Sequence, residues 1–249
     1  IKSSAASDVY KRQHQYCDFS DGTLVCLTPG ESISMKENNK EFPSKGWILA
    51  FHPDLICGTP LGLNIHNYTF FSYCPEEALH LSLREKQIIL EFLERIRQEL
   101  ERCIDRHSKK IISKYIELLL DYCTRFYERQ FITRSEVNKK VFREFNHLLD
   151  NHFNVKVSLS TDVLSDEYCA NLLHLSPAYF NDLLKYEIGK EFKEYIQFKR
   201  FEIAKGWLVN TDKTLGQIAQ ELGFSNSQYF SRLFKKITGC SPNEFRMPN

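Results

Sequence analysis

Gln228, Ser231, Arg232, Lys235 and Lys236 are polar side chains spaced along one side of a short stretch whose other side is apolar. Their chemistry suits the edge of a base pair. An arginine guanidinium spans O6 and N7 of guanine, and a glutamine amide pairs with adenine. Lysines further along meet phosphates. A helix that enters a major groove places its N-terminal residues on the bases, which adds Ser227 and Tyr229 to the candidate contacts. Taken as an isolated segment, the same pattern also describes an amphipathic helix with a solvated basic face.

Positioning such a face takes a helix, a tight turn and a second helix, and residues 214–246 read that way. Thr214 is a candidate N-cap, with Ile218, Ala219 and Leu222 on one helical face. Small Ala219 suits a close crossing of two helices. Gly223 suits a chain reversal with positive φ. Ser225 and Ser227 are candidate caps of the next helix, which has Tyr229, Phe230, Leu233, Phe234 and Ile237 on its apolar side. Gly239 ends it, and Pro242 fits the first turn of a closing helix.

The pattern occurs twice. Tyr179, Phe180, Leu183, Lys185, Gly189 and Glu194 precede Tyr229, Phe230, Leu233, Lys235, Gly239 and Glu244 by 50 residues, whereas Ala170 and Leu173 precede Ala219 and Leu222 by 49. The second turn is therefore one residue longer. Two units, 161–189 and 213–239, are joined by a helix expected over 192–210. The first unit differs in its chemistry: His174 stands where the second has Gly223, and Asp182 where it has Arg232. An acid is unfavourable near phosphates but accepts from cytosine N4. Ala178, Asn181 and Asp182 are its groove candidates, with Lys185 for phosphate. Thr161 or Asp162 is expected to open this unit. Gly206, inside the joining helix, costs about 1 kcal/mol relative to Ala and suggests close packing or slight flexibility.

Over residues 141–246 the chain resembles the AraC-type (AraC/XylS) transcription regulators. The resemblance is carried by LSPAYFNDLLKYEIGKEFKEYI, the joining FKRFEIAKGWL, IAQELGFSNSQYFSRLFKKITG and the closing SPNEFR. It implies a mostly α protein. The C-terminal part, 134–249, would be an all-α tandem helix-turn-helix domain of about seven helices. Ahead of it would lie a partial β-barrel-like (cupin-like) sensor region and an antiparallel helix pair. It also implies double-stranded DNA as partner, with pairs of reading helices in successive major grooves. Ser227, Gln228 and Arg232 would read bases, and Lys235 and Lys236 would hold the backbone. A homodimer, a small-molecule effector in the N-terminal region and RNA polymerase are the further partners it suggests.

The N-terminal part is less specific. Residues 1–13 lack an initiating Met and any apolar period, and the first 15 are set aside as non-native or disordered. Residues 16–83 read as short strands, with candidates at 23–27, 32–35, 46–52, 68–73 and 78–83. Residues 83–107 and 109–130 have helical apolar periods. They suit either packing on the sensor sheet or a dimer interface, within a sensor and dimerisation region of 16–133. Residues 131–135 read as a linker, and Val141, Phe142, Phe145, Leu148, Leu149 and Phe153 as the first helix of the DNA-binding part.

Composition constrains the function class. Net charge is +1, and from residue 155 onward 12 Lys and Arg stand against 11 Asp and Glu, so DNA binding is argued from architecture and not from bulk charge. The eight cysteines form no C-x-x-C pair and read as reduced thiols of a cytoplasmic protein. No apolar run of membrane length appears. His52, His66 and His80 lack the spacing of a metal site, and no cofactor is expected. The aromatic cluster around Trp47, Phe51 and Tyr68 suits a core or a ligand pocket. Two other classes stay open. An enzyme with a regulatory tail lacks a nucleophile elbow, phosphate loop or metal cluster to support it. A module that binds protein through its helix-turn-helix surfaces fits the near-neutral charge and Asp182.

Overall fold

The computed structural model describes residues 2–4, 22–31, 46–154 and 164–246. It divides into two compact units, Ile1–Ser135 and Glu136–Asn249, and is mostly helical.

The N-terminal unit holds four short strands, β1 (Lys2–Ser4), β2 (Thr23–Val25), β3 (Gly46–Trp47) and β4 (Leu79–His80), in one antiparallel sheet of order β3-β1-β2-β4. The register sets Ser3 opposite Leu24 and Trp47, and Thr23 opposite His80. Strand β1 falls within the stretch set aside on composition. This sheet is as much of the expected barrel as the described residues contain.

Much of the region expected as strands is instead helical. Helix α1 (Pro53–Ile56) starts at His52, whose Nδ1 accepts from Asp54 N–H at 3.2 Å. Helix α2 (Pro60–Asn64) starts at Thr59, whose Oγ1 accepts from Gly62 N–H at 3.3 Å. Single 3-10 turns follow at Ile65–Asn67, Thr69–Ser72 and Pro75–Glu77. Proline at a first helical position is preset for helical φ and lacks an N–H that would go unpaired. Three such prolines outweigh the aromatic β-propensity of 68–73. The candidate strand at 32–35 lies outside the described residues.

Helix α3 (Leu83–Leu100) opens on a capping box in which Ser82 Oγ accepts from Glu85 N–H and Glu85 accepts from Ser82 N–H. Helix α4 (Ser108–Thr133) runs back along it, since Arg129 near its end pairs with Glu85 at 2.7 Å and Tyr122 meets Phe92 at 5.4 Å. Ile89, Leu93 and Ile96 pack with Ile116, Leu119, Leu120 and Cys123 and with Leu24 and Leu79 of the sheet in one core. Buried Gln130 acts as a strand substitute: its Oε1 accepts from His80 N–H at 2.8 Å and its Nε2 donates to Ala78 O at 3.2 Å. Backbone groups of β4 that face α4 are thereby paired. Burial pushes the Cys26 thiol up to about 12 and raises Cys123 well above its ordinary range, which removes nucleophilic thiolate at both.

Helix α5 (Ser135–Asn154) begins directly after Arg134. The linker expected over 131–135 is thus a single residue, because α4 continues through buried Phe131 to Thr133. The C-terminal unit continues with α6 (Asp166–Leu172), α7 (Pro177–Ile188), α8 (Phe192–Asn210), α9 (Leu215–Glu221), α10 (Ser227–Thr238) and α11 (Pro242–Arg246). Its core is aromatic. Phe145 of α5 meets Phe180 edge-on at 5.0 Å, and Phe201 of α8 lies 5.5 Å from Phe224 and 6.1 Å from Phe234. Helix α8 contributes to the whole core with Phe192, Tyr195, Ile196, Phe201, Ala204 and Leu208.

Candidate nucleic-acid interface

In the second unit Thr214 Oγ1 accepts from Gln217 N–H at 3.2 Å, and Gln217 Oε1 accepts from Thr214 N–H at 2.8 Å. This capping box fixes the start of α9. Fully buried Ala219 accepts, through its carbonyl, the Phe224 N–H at 2.8 Å across the turn. Gly223 sits there at φ 73, a conformation in which a Cβ would crowd the backbone.

The cap of α10 is Asn226, whose Oδ1 accepts from Tyr229 N–H at 2.7 Å. Ser225 and Ser227, the candidates named above, are not the cap; Ser227 is the first helical residue. Asn ranks at least as high as Ser at this position, so the assignment was available from residue type. Gly239, at φ 83, closes the helix with its N–H on Lys235 O at 2.9 Å.

Phe230 and Phe234 are fully buried and pin α10 against Phe201 and Phe224. That anchoring leaves Gln228, Tyr229, Arg232, Lys235 and Lys236 exposed, with Ser227 and Ser231 half-buried. Tyr229 and Ile237, placed above on the apolar side, are 39% and 54% exposed and lie outside the core. The Arg232 guanidinium lies 5.5 Å from the Tyr229 ring centre, a cation–π arrangement. Ser231 Oγ donates to Ser227 O at 2.8 Å.

The first unit starts later than expected. Ser165, not Thr161 or Asp162, caps α6, its side chain accepting from Tyr168 N–H at 3.0 Å. Residues 161–163 lie outside the described residues. His174 adopts φ 57 in the turn, and Leu175 N–H donates to Ala170 O at 2.9 Å, the counterpart of the Phe224 to Ala219 bond. Ser176 caps α7 through Tyr179 N–H at 3.2 Å, with Pro177 in the first turn. Tyr179 is buried, unlike its repeat partner Tyr229.

The groove candidates of α7 are less accessible than those of α10. Ala178, Asn181 and Asp182 are half-buried. Asn181 Nδ2 donates to Asp166 Oδ2 and to Pro177 O, each at 3.0 Å. Lys185 is exposed and stands 3.7 Å from Glu191, a solvated pair of the kind that contributes little to stability.

Arg246 has a role that the sequence reading missed. Its Nη2 donates to Lys213 O and its Nε donates to Leu208 O at 3.3 Å. The guanidinium thus ties the closing helix to the end of α8 and the loop before α9. Lys213 in turn pairs with Glu221 and lies 4.0 Å from the Trp207 ring centre. Among the described residues no group of three or more His, Cys, Asp or Glu side chains is arranged to hold a metal ion, and no helix is long and apolar enough to cross a membrane.

Residues 169–247 match the family described as "Helix-turn-helix domain". The uncharacterised HTH-type transcriptional regulator YtdP of Bacillus subtilis is 33% identical over 111 residues, which are 45% of this chain and 14% of that protein. The arabinose operon regulatory protein of Salmonella typhimurium is 32% identical over 101 residues, 41% of this chain and 32% of that protein. The uncharacterised HTH-type transcriptional regulator YijO of Escherichia coli is 24% identical over 225 residues, 90% of this chain and 76% of that protein. The chain thus spans 14% and 32% of the length of YtdP and of the arabinose regulator.

Proposed function

We propose that the chain is a sequence-specific DNA-binding transcription regulator of the AraC type, with residues 169–247, which match a helix-turn-helix family, as its DNA-binding part. Helices α7 and α10 enter successive major grooves on one side of the duplex, spaced by about one turn, ~34 Å. Ser227, Gln228 and Arg232 read bases, with Tyr229 and Ser231 beside them, and Lys235 and Lys236 hold phosphates. In the first unit Ala178, Asn181 and Asp182 face the bases, and Lys185 faces the backbone. The observation that carries this reading is the α10 surface. Buried Phe230 and Phe234 fix the helix, and Gln228, Arg232, Lys235 and Lys236 stand exposed together on it.

The N-terminal unit supplies regulation in this proposal. An effector or partner acts there, and the chain works as a cytoplasmic homodimer that also meets RNA polymerase. Exposed Leu100 and Leu118 on the helix pair, and Ile104 in the loop between its two helices, supply apolar surface suited to a second copy.

The test is selection of bound fragments from a random double-stranded DNA library, repeated with Arg232→Ala. Loss of about 1–3 kcal/mol with relaxation of one base position is expected. An Arg232→Ala footprint with unchanged sequence preference would contradict the role of that residue. Binding that does not weaken with salt would favour a protein partner over DNA.

A further inference from the structure

The first reading helix carries a side-chain contact to the preceding helix that has no equivalent in the second. Asn181 Nδ2 donates to Asp166 Oδ2 and to Pro177 O, each at 3.0 Å. Both partners accept only, so the amide orientation follows from its surroundings: the NH2 group must face them. A primary amide has two N–H donors, and both are engaged within the protein. Asn181 Oδ1 is left as the group available to a ligand. Asp166 is fixed in its turn, since its Oδ1 accepts from Glu167 N–H at 3.1 Å and Ser165 caps the helix just ahead of it. The repeat puts Leu215 at the place of Asp166 and Ser231 at the place of Asn181, so the second unit cannot build this contact.

The neighbouring chemistry has the same sense. Asp182, next along α7, is an acid whose carboxylate has no N–H to donate, and Ala178, one turn earlier, carries only a methyl. On α10 the matching positions, Gln228 and Arg232, carry amide and guanidinium donors.

We infer that α7 reads DNA with hydrogen-bond acceptors alone, and that Asp166 is a positioning residue that sets this specificity by holding the Asn181 amide inward. This inference rests on the DNA-binding reading above. In the major groove adenine and cytosine offer exocyclic amino donors, whereas guanine and thymine offer carbonyl acceptors. An acceptor-only helix therefore selects an amino base, A or C, over a keto base, G or T, on the strand it contacts. The bidentate Asn–adenine pair needs an amide donor to N7, and the contact to Asp166 withholds it. Arg232 in α10 selects guanine. The two half-sites are thus of opposite hydrogen-bonding sense.

The experiment is selection from a random double-stranded library with the full chain, comparing wild type, Asp166→Asn, Asp166→Ala and Asn181→Ala. Asp166→Asn keeps the shape and lets the Asn181 amide turn. The second half-site serves as the internal control for folding. Wild type is expected to favour A or C over G or T by about tenfold at one first-half-site position, the size of one good hydrogen-bond distinction. Asp166→Asn and Asp166→Ala should admit G or T there, Asn181→Ala should erase the preference, and the second half-site should keep its guanine in all four. A keto base preferred by wild type, a flat first half-site, or a preference unmoved by both Asp166 variants would overturn the inference while leaving the DNA reading intact. No enriched sequence at all with wild type would sink the DNA reading itself, and this inference with it.

Discussion

At the scale of single residues, the two turns allow a controlled comparison. Gly223 and His174 stand at equivalent places and share the left-handed region, at φ 73 and φ 57. A side chain there costs roughly 1–2 kcal/mol against glycine, partly offset by the greater chain entropy that glycine loses on folding. His174→Gly should therefore raise stability by about 0.5–1 kcal/mol, and Gly223→Ala should lower it by about 1–2 kcal/mol. Urea unfolding of the full chain followed by helical circular dichroism measures both; a His174→Gly chain less stable than wild type would contradict the strain argument. His80 allows a second test. Burial, with the charges of Arg134 and Arg129 adding to it, pushes its imidazole from 6.5 down to about 4. The unfolded chain then takes up the proton first, so the contribution of neutral His80 is present above about 6.5 and is lost as pH falls toward about 4. His80→Gln should flatten the fall in unfolding free energy across that window, as read from urea midpoints at stepped pH.

At the scale of elements, α8 decides most. Its bounds, Phe192–Asn210, coincide with the span read from the sequence, because Gly189 and Thr211 mark its ends and apolar residues recur between them. Gly206 within it had suggested close packing or slight flexibility, yet apart from the helix's own backbone and the adjoining residues nothing lies within 4 Å of where a Cβ would be. Gly206→Ala should then stabilise the unit by up to ~1 kcal/mol through helix propensity alone, which a thermal melt can read; a destabilised variant would show that flexibility there is used. The second helix-turn-helix was legible from local signals, namely Thr214, Gly223, Gly239 and Pro242, each of which acts within one turn of chain. The Asn181–Asp166 contact was not legible, since it joins residues 15 apart across a turn whose path no spacing rule supplies. The aromatic run at 68–73 misled for the opposite reason: its propensity was read, but the proline-led turns on either side of it governed the backbone. The bonds of Arg246 were not legible either, because nothing in its own neighbourhood reveals the carbonyls of Leu208 and Lys213.

At the scale of the whole molecule, a net charge of +1 gives no general attraction to a polyanion, so affinity in the proposed mode must come from a few placed cations. Salt dependence counts them. Lys235→Ala and Lys236→Ala should each lower the slope of log affinity against log salt by about 1. Arg246→Ala should leave the slope unchanged and instead lower stability by ~1–3 kcal/mol, since it strips charged hydrogen bonds from two carbonyls. Gel shifts across a salt series, paired with unfolding curves, separate these outcomes. Helix α8 carries one more consequence. Its 19 residues, at about 1.5 Å each, make a rod of roughly 28 Å between the two readers. Operator spacing would then be encoded as a residue count: lengthening the rod by one residue would swing the far reader by about 100° around its axis, off the duplex face that the near one holds.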